Sequence, residues 1–320
     1  MMTSPVFLIT HSCNLDCAHC YDRPNRVLAD GDVFDGRFRA CLDQLDCLAP
    51  SAAIISGGEP MMSPHIDRVV SMVRSASLAV EVFTNGFCSE RLLDMRIDAV
   101  HTSLDGPPAL HNAVRRSLHA FRNFESLVTG AHDRGLPCAV QITVTSSNVD
   151  HMEDTLHCLA GYPGVSSVTI EPVVMHRHVN PELALDSSVL DFSRWSPMIA
   201  AFLAQREFRA EVRWNCRSGA DLRSLDPAQA VASLPVLFDI PGDRWGILGL
   251  PETRHAGFES FGARALSRDR DFLSDVLAQQ QLNIEATHTY SLEQLLVDAL
   301  AQSTAAPGLA TPGVLPSTRR

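Results

Sequence analysis

The chain has 320 residues, 45% of them hydrophobic, enough for one large core with a small appendage. Its 37 acidic residues outweigh 26 basic ones for a net charge of −11, which argues against a nucleic-acid binder working through a basic groove. Every basic residue is Arg, so neither a lysine Schiff base nor a lysine general base can exist here. No apolar run is long enough to span a membrane, no signal-peptide pattern opens the chain, and the cysteine usage fits a reduced cytoplasm better than a disulfide framework.

The apolar run Val6-Phe7-Leu8-Ile9 predicts a buried first strand over 5–10. It opens into Cys13-Asn14-Leu15-Asp16-Cys17-Ala18-His19-Cys20-Tyr21, a CxxxCxxC loop. Three thiolates on one short loop can hold three irons of a 4Fe–4S cluster. Such clusters normally take four Cys, so one iron is left open to a small molecule. Structural zinc is the rival: it wants four ligands, and Cys17, Cys20 and His19 find no second CxxC in the chain.

A helix over 33–48 precedes a second strand over 52–56, which runs into Gly57-Gly58-Glu59-Pro60; paired glycines let a backbone approach a ligand closely. Ser63 reads as the N-cap of a helix over 63–77. A strand over 79–84 ends in Thr84-Asn85-Gly86, and after a helix over 88–95 a strand over 97–103 ends in Ser103-Leu104-Asp105-Gly106-Pro107. His111-Asn112-Ala113-Val114-Arg115-Arg116 follows, then a helix over 117–134 that stops at Gly135. A strand over 137–145 carries Thr143, and Asn148 reads as the N-cap of a helix over 148–160. The strand over 165–172 ends in Glu171-Pro172, before His176-Arg177-His178 at the expected substrate mouth and a helix over 187–205. This repeated βα rhythm argues for a mainly parallel sheet, and the motifs fall at the carboxyl ends of its strands, where such folds bind ligands.

CxxxCxxC with His19 before the last Cys, then Gly-Gly-Glu-Pro, Thr-Asn-Gly and Ser-Leu-Asp-Gly-Pro in that order, resembles the radical S-adenosylmethionine (SAM) superfamily. The likeness leans to the SPASM/twitch subgroup of peptide-modifying enzymes. It implies an α/β fold, a partial (β/α)6 barrel over 1–210 with a small C-terminal α+β cap. It also implies one 4Fe–4S cluster on Cys13, Cys17 and Cys20, with SAM chelating the open iron. Reductive cleavage of SAM then yields a 5′-deoxyadenosyl radical that abstracts hydrogen from substrate. The SAM contacts implied are Gly57, Gly58, Glu59 (orienting the amine), Pro60, Asn85, Ser103, Asp105, Thr143 and Tyr21. Arg115 matches the Arg of the family's HDxxRG segment, with Asn112 for Asp and Arg116 for Gly. It is implied to pair a SAM or substrate carboxylate.

Relatives in the subgroup hold auxiliary clusters in the C-terminal extension, but no Cys follows Cys216 here. Residues 211–302 therefore read as a degenerate, cluster-free cap, with a hairpin over 236–249 turning at Pro241-Gly242-Asp243 and a helix over 291–302 capped by Ser291. Residues 303–320 read as a disordered tail. Cys216 is either a hydrogen-atom donor in a redox-neutral reaction or a packing residue, and Cys41, Cys47, Cys88, Cys138 and Cys158 read as packing residues. His176 and His178 show no further metal-ligand partner.

The first reading of function is radical modification (crosslinking, epimerisation or another change) of a ribosomally synthesised peptide. The alternative is a small-molecule substrate such as a tetrapyrrole, cofactor precursor or sugar; more remote is a non-catalytic iron–sulfur or zinc protein. Expected partners are the peptide and a reductant such as flavodoxin or ferredoxin. Only five residues precede Val6, so a leader would be held by the cap or by a separate leader-binding partner.

Overall fold

Val6–Leu8 (β1) is paired in parallel on both edges, to Ala52–Ser56 (β2) on one side and to Val236–Asp239 (β9) on the other. The computed structural model describes residues 4–20, 22, 31–175, 179–185, 192–205, 210–214, 217–218, 234–247, 255–258, 261–279 and 289–290. From β2 the parallel sheet continues through Ala79–Phe83 (β3), Ala99–Ser103 (β4), Cys138–Val144 (β5), Val165–Pro172 (β6) and Glu211–Trp214 (β7). The intervening helices are Gly31–Leu42 (α1), Ile66–Ser75 (α2), Ser89–Leu93 (α3), Pro108–Arg115 (α4), Ala120–Asp133 (α5), Met152–Ala160 (α6) and Phe192–Gln205 (α7). Parallel pairing with helical crossovers is the expected partial-barrel architecture.

The two faces of this sheet differ because strand side chains alternate. Ile55, Val80, Val82, Val100, Val140, Ile142, Val168 and Ile170 are buried under the helices. Ile66, Val69, Val70 and Val73 of α2, and Phe124, Leu127, Val128 and Ala131 of α5, meet them at helical spacing. Each fully buried aliphatic or aromatic side chain contributes about 1.5–3 kcal/mol through removal from water. The inner face is half-buried and mixed: Ser56, Glu81, His101, Gln141, Thr143, Thr169 and Glu171 share it with Ile54 and Phe83, and Phe83 stacks on His101 at 6.1 Å.

The structure changes the expected C-terminal organisation. Strand β7 hydrogen-bonds to β6, with Ser167 opposite Glu211, so the boundary anticipated at 210/211 falls inside the barrel sheet. Of the hairpin expected over 236–249, the described residues 236–247 form one, as β9 and Arg244–Ile247 (β10), turning through Pro241–Asp243 with Asp243 at φ 51°. It does not stand apart, because β9 fills the free edge of β1 and β10 carries the sheet on to His255–Ala256 (β11). The reason is apolar: Phe238 stacks on Phe7 at 5.0 Å, and Phe261 meets Phe238 and Trp245 edge-on at 4.9 and 4.8 Å. A helix the sequence reading passed over, Ala263–Gln279 (α8), buries Leu266, Leu273 and Val276, a helical spacing disguised by the charged run Arg268–Asp271. Arg217–Ser218 (β8) and Thr289–Tyr290 (β12) form a separate two-stranded sheet.

Local expectations shift as well. The helix expected over 117–134 forms as α5, and before it stands a short helix the sequence reading passed over, α4, which ends where Arg116 takes a left-handed φ of 52°. Ser63 does not cap α2, whose N-cap is His65; the Ser63 hydroxyl accepts from the His65 N–H in the preceding turn. Asn148 makes no helix-cap bond either. Tyr21, His176–His178, Cys216, the helix over 291–302 and the tail over 303–320 lie outside the described residues. Among the described residues no helix is long and apolar enough to cross a membrane.

Candidate active site

The cysteine loop leaves β1 at Thr10 and rests on the Gly57-Gly58 turn at the end of β2. The Gly58 and Glu59 N–H groups donate to the carbonyls of Thr10 and Ser12 at 2.7 and 2.8 Å. Gly57 sits at φ +145°, and a Cβ there would strike the Thr10 carbonyl; a Cβ on Gly58 would strike the carbonyls of Ser12 and His11. The glycine pair is thus required for one loop to lie against the other. Cys13, Cys17 and Cys20 are half-buried thiols. Cys13 Sγ accepts from the Leu15 N–H at 3.4 Å and from Asn85 Nδ2 at 3.8 Å, and the same amide donates to Asn14 Oδ1 at 2.9 Å. Burial pushes the Cys17 thiol up to about 11, against the pull of the Arg115 guanidinium. Among the described residues no three Cys, His, Asp or Glu side chains converge to hold a single metal ion.

Glu59, expected to orient an amine, faces away into the protein. It has no exposed surface; Oε1 accepts from Thr84 Oγ1 at 2.8 Å and from the Met61 N–H at 3.1 Å, and Oε2 accepts from the Asn85 N–H at 2.8 Å. Burial pushes its carboxyl up to about 7 despite these bonds. Glu59 is a clamp joining the turn after β2 to the turn after β3, and buried Pro60 starts the short helix that follows it.

Below the cysteines lies a buried charge cluster. Arg115 Nε donates to Asp105 Oδ2 at 2.6 Å. The Asp105 N–H donates to His111 Nδ1 at 3.1 Å, which places the ring proton of a neutral His111 on Nε2. Burial alone would raise the Asp105 carboxyl; the Arg115 guanidinium prevails and holds it well below the usual carboxylate range. The field of Cys17 and Cys13 acts on Arg115 in turn. Arg115, expected to meet a ligand carboxylate, has its Nε committed to Asp105. Asp105 Oδ1 and His19 Nδ1 are buried without a hydrogen-bond partner among the described residues, and His19 Nε2 stands 3.8 Å from Asp105 Oδ1. Asn148 ties strand ends together: its Nδ2 donates to the carbonyls of Asp105 and Thr143, both at 2.9 Å, and its Oδ1 accepts from the Thr145 N–H at 2.7 Å.

One residue the sequence reading missed is His11. Its Nδ1 reaches Asp22 Oδ2 and its Nε2 reaches Asp239 Oδ1, both at 2.8 Å. Burial would lower its pKa, but two carboxylates on two ring nitrogens require both N–H groups and push it up to about 9. Asp239 also accepts from the Gly242 N–H and from Arg244 Nη2. Only a pattern linking positions 228 residues apart would have found this contact.

The structure therefore gathers Cys13, Cys17, Cys20, Gly57, Gly58, Asn85, Asp105 and Arg115 at one end of the sheet, with Ser103 and Thr143 on the strands beside them. The radical SAM superfamily profile matches residues 7–159, the segment that carries all of these. Residues 7–159 are a radical SAM domain. The chain is 26% identical over 156 residues to pre-heme d1 synthase of Dinoroseobacter shibae, covering 47% of this chain and 39% of that protein. It is 29% identical over 150 residues to PqqA peptide cyclase of Streptomyces rochei, covering 44% and 40%. The chain thus spans about two fifths of the length of these curated relatives. In fold it is similar to Streptococcus suis SuiB bound to its precursor peptide SuiA, with a TM-score of 0.62 and 16% identity over 87% of this chain and 66% of that one. The matched segment runs from β1 to α6, and the parallel sheet continues past it through β6 and β7. The β9–β11 segment extends its sheet beyond the first strand.

Proposed function

We propose that this protein is a radical SAM enzyme that abstracts hydrogen from a peptide substrate. The observation that carries the reading is the cysteine loop itself: three thiols on one turn, with N–H donors on Cys13 and a buried guanidinium beside Cys17. This donor set fits a 4Fe–4S cluster, whose thiolates are characteristically hydrogen-bonded and charge-compensated. Cys13, Cys17 and Cys20 would hold it, and the orphaned Asp105 Oδ1 and His19 Nδ1 beside them are polar atoms still awaiting partners. What the cluster supplies when bound is one-electron reductive cleavage of SAM, which furnishes the species that abstracts hydrogen.

The chain's own residues do the rest. Gly57 and Gly58 seat the loop, Asn85 steadies Cys13, and Arg115 offsets thiolate charge while Asp105 keeps it in place. Ser103 on β4 and Thr143 on β5 would face SAM and substrate. A peptide substrate is supported by the likeness to PqqA peptide cyclase and by the fold shared with a precursor-bound SuiB. A tetrapyrrole substrate, favoured by the likeness to pre-heme d1 synthase, is the second reading. A low-potential flavodoxin or ferredoxin would deliver the electron.

The test is anaerobic reconstitution with iron and sulfide, then reduction in the presence of SAM. About four irons per chain and release of 5′-deoxyadenosine, both lost in Cys17→Ala, are expected. Bound zinc without SAM cleavage would overturn the reading.

A further inference from the structure

The lumen face of the sheet carries a polar wall with no part in holding the cysteine loop. On β3 and β4, His101 Nε2 and Glu81 Oε2 are 2.7 Å apart, with side chains 24% and 26% exposed. On β5 and β6, Gln141 Nε2 donates to Glu171 Oε1. The two cross-strand pairs are neighbours, because Ser103, two residues beyond His101, lies opposite Gln141. From the far edge, Arg213 on β7 is held by Glu211 and feels the charge of Glu81 across the lumen.

With about a quarter of each side chain exposed, the pair can be reached by a ligand in the lumen. Glu81 Oε1 and His101 Nδ1 have no hydrogen-bond partner among the described residues. A carboxylate offers about four acceptor sites, and His101 engages one. The strands could have carried Val or Ile here, as they do on their opposite face. An apolar macrocycle or an aliphatic side chain would leave these groups unpaired, and a carboxylate would face Glu81.

We propose that Glu81 and His101, flanked by Gln141, form the subsite that seats the side chain to be modified. This subsite selects a polar group that donates hydrogen bonds: an amide, hydroxyl, ammonium or guanidinium. The assignment rests on the peptide-modifying reading above and names the kind of residue that reading acts on.

The test uses the full chain with its cluster reconstituted and follows, by saturation-transfer NMR, the binding of N-acetyl methylamides of Asn, Arg, Leu, Phe and Glu. The Asn and Arg probes should bind at least about tenfold more tightly than the other three, and Glu81→Gln and His101→Leu should each erase that preference. Equal binding of the Leu or Phe probe, or a preference unchanged in both variants, overturns the proposal. Glu81→Gln keeps the side-chain shape and carries the test should His101→Leu fail to fold. Release of 5′-deoxyadenosine by the unsubstituted protein, measured before any probe is added, separates the two claims. Release without probe preference sinks the subsite alone, and preference without release sinks the enzymatic reading alone.

Discussion

Arg115 and Asp105 form a buried pair at 2.6 Å, and the same guanidinium lies in the field of Cys17. The pair joins the end of β4 to the last turn of α4 under the cysteine loop. Removing one member leaves an uncompensated charge in a dry site, which typically costs about 3–5 kcal/mol. Asp105→Ala and Arg115→Ala should each lower the denaturation midpoint sharply, while the double variant should lose less than the sum of the two. Additive losses in anaerobic melts would show that the two charges do not depend on each other.

Glu59 gives the fold a pH dependence of known sign. Its carboxyl is raised from 4.5 to about 7 in the folded protein, so between those values the folded state holds a proton that the unfolded state has released. This contribution to stability is fully present below pH 4.5 and is lost as the pH climbs to about 7, with an upper bound of ~3 kcal/mol. Urea unfolding from pH 4.5 to 7.5 should show a declining component that is missing in Glu59→Gln; parallel curves for the two proteins would refute it.

Gly58→Ala should disturb the cysteine loop without touching a sulfur. The added methyl meets the carbonyls of Ser12 and His11, backbone atoms that cannot swing aside. Overpacking of this kind costs about 1–3 kcal/mol and here moves the loop itself. Reconstituted iron per chain should fall well below that of the unsubstituted protein, and full iron uptake would count against the loop-on-loop geometry.

Phe238→Ala should destabilise the whole barrel, because Phe238 packs on Phe7 of β1 as well as on Phe261. Large-to-small aromatic replacements in a core cost about 3–5 kcal/mol. A single cooperative transition shifted to lower denaturant is expected; a separate early transition would mean that the β9–β10 hairpin unfolds on its own.

Asn85→Ala removes a donor from Cys13 Sγ. Hydrogen bonds to sulfur raise a cluster's reduction potential, so the variant's potential should fall in a redox titration. An unchanged potential would argue that Asn85 serves only the Asn14 contact.

Much of this was legible in the chain. The strands of the barrel fall within a few residues of their expected bounds, because short apolar runs between turn residues have few other uses in a βα rhythm. The cysteine triplet and the glycine pair declared themselves by spacing. Contacts made across sequence did not. Glu59 reads as a ligand residue until Thr84 and Asn85 are seen to occupy it. Arg115 reads as a free cation until Asp105 is found against it. His11 carries no local signal at all, since both its partners are set by the folded sheet.

The placement of β1 between β2 and β9 also constrains how the molecule is made. One edge of β1 can be covered soon after residue 56 is synthesised, but the other stays bare until residues 236–239 emerge. At roughly 5–20 residues per second that interval lasts on the order of ten seconds or more. During it the nascent chain exposes an unpaired strand edge with Phe7 beside it, the kind of surface that recruits chaperones or sticks to other chains.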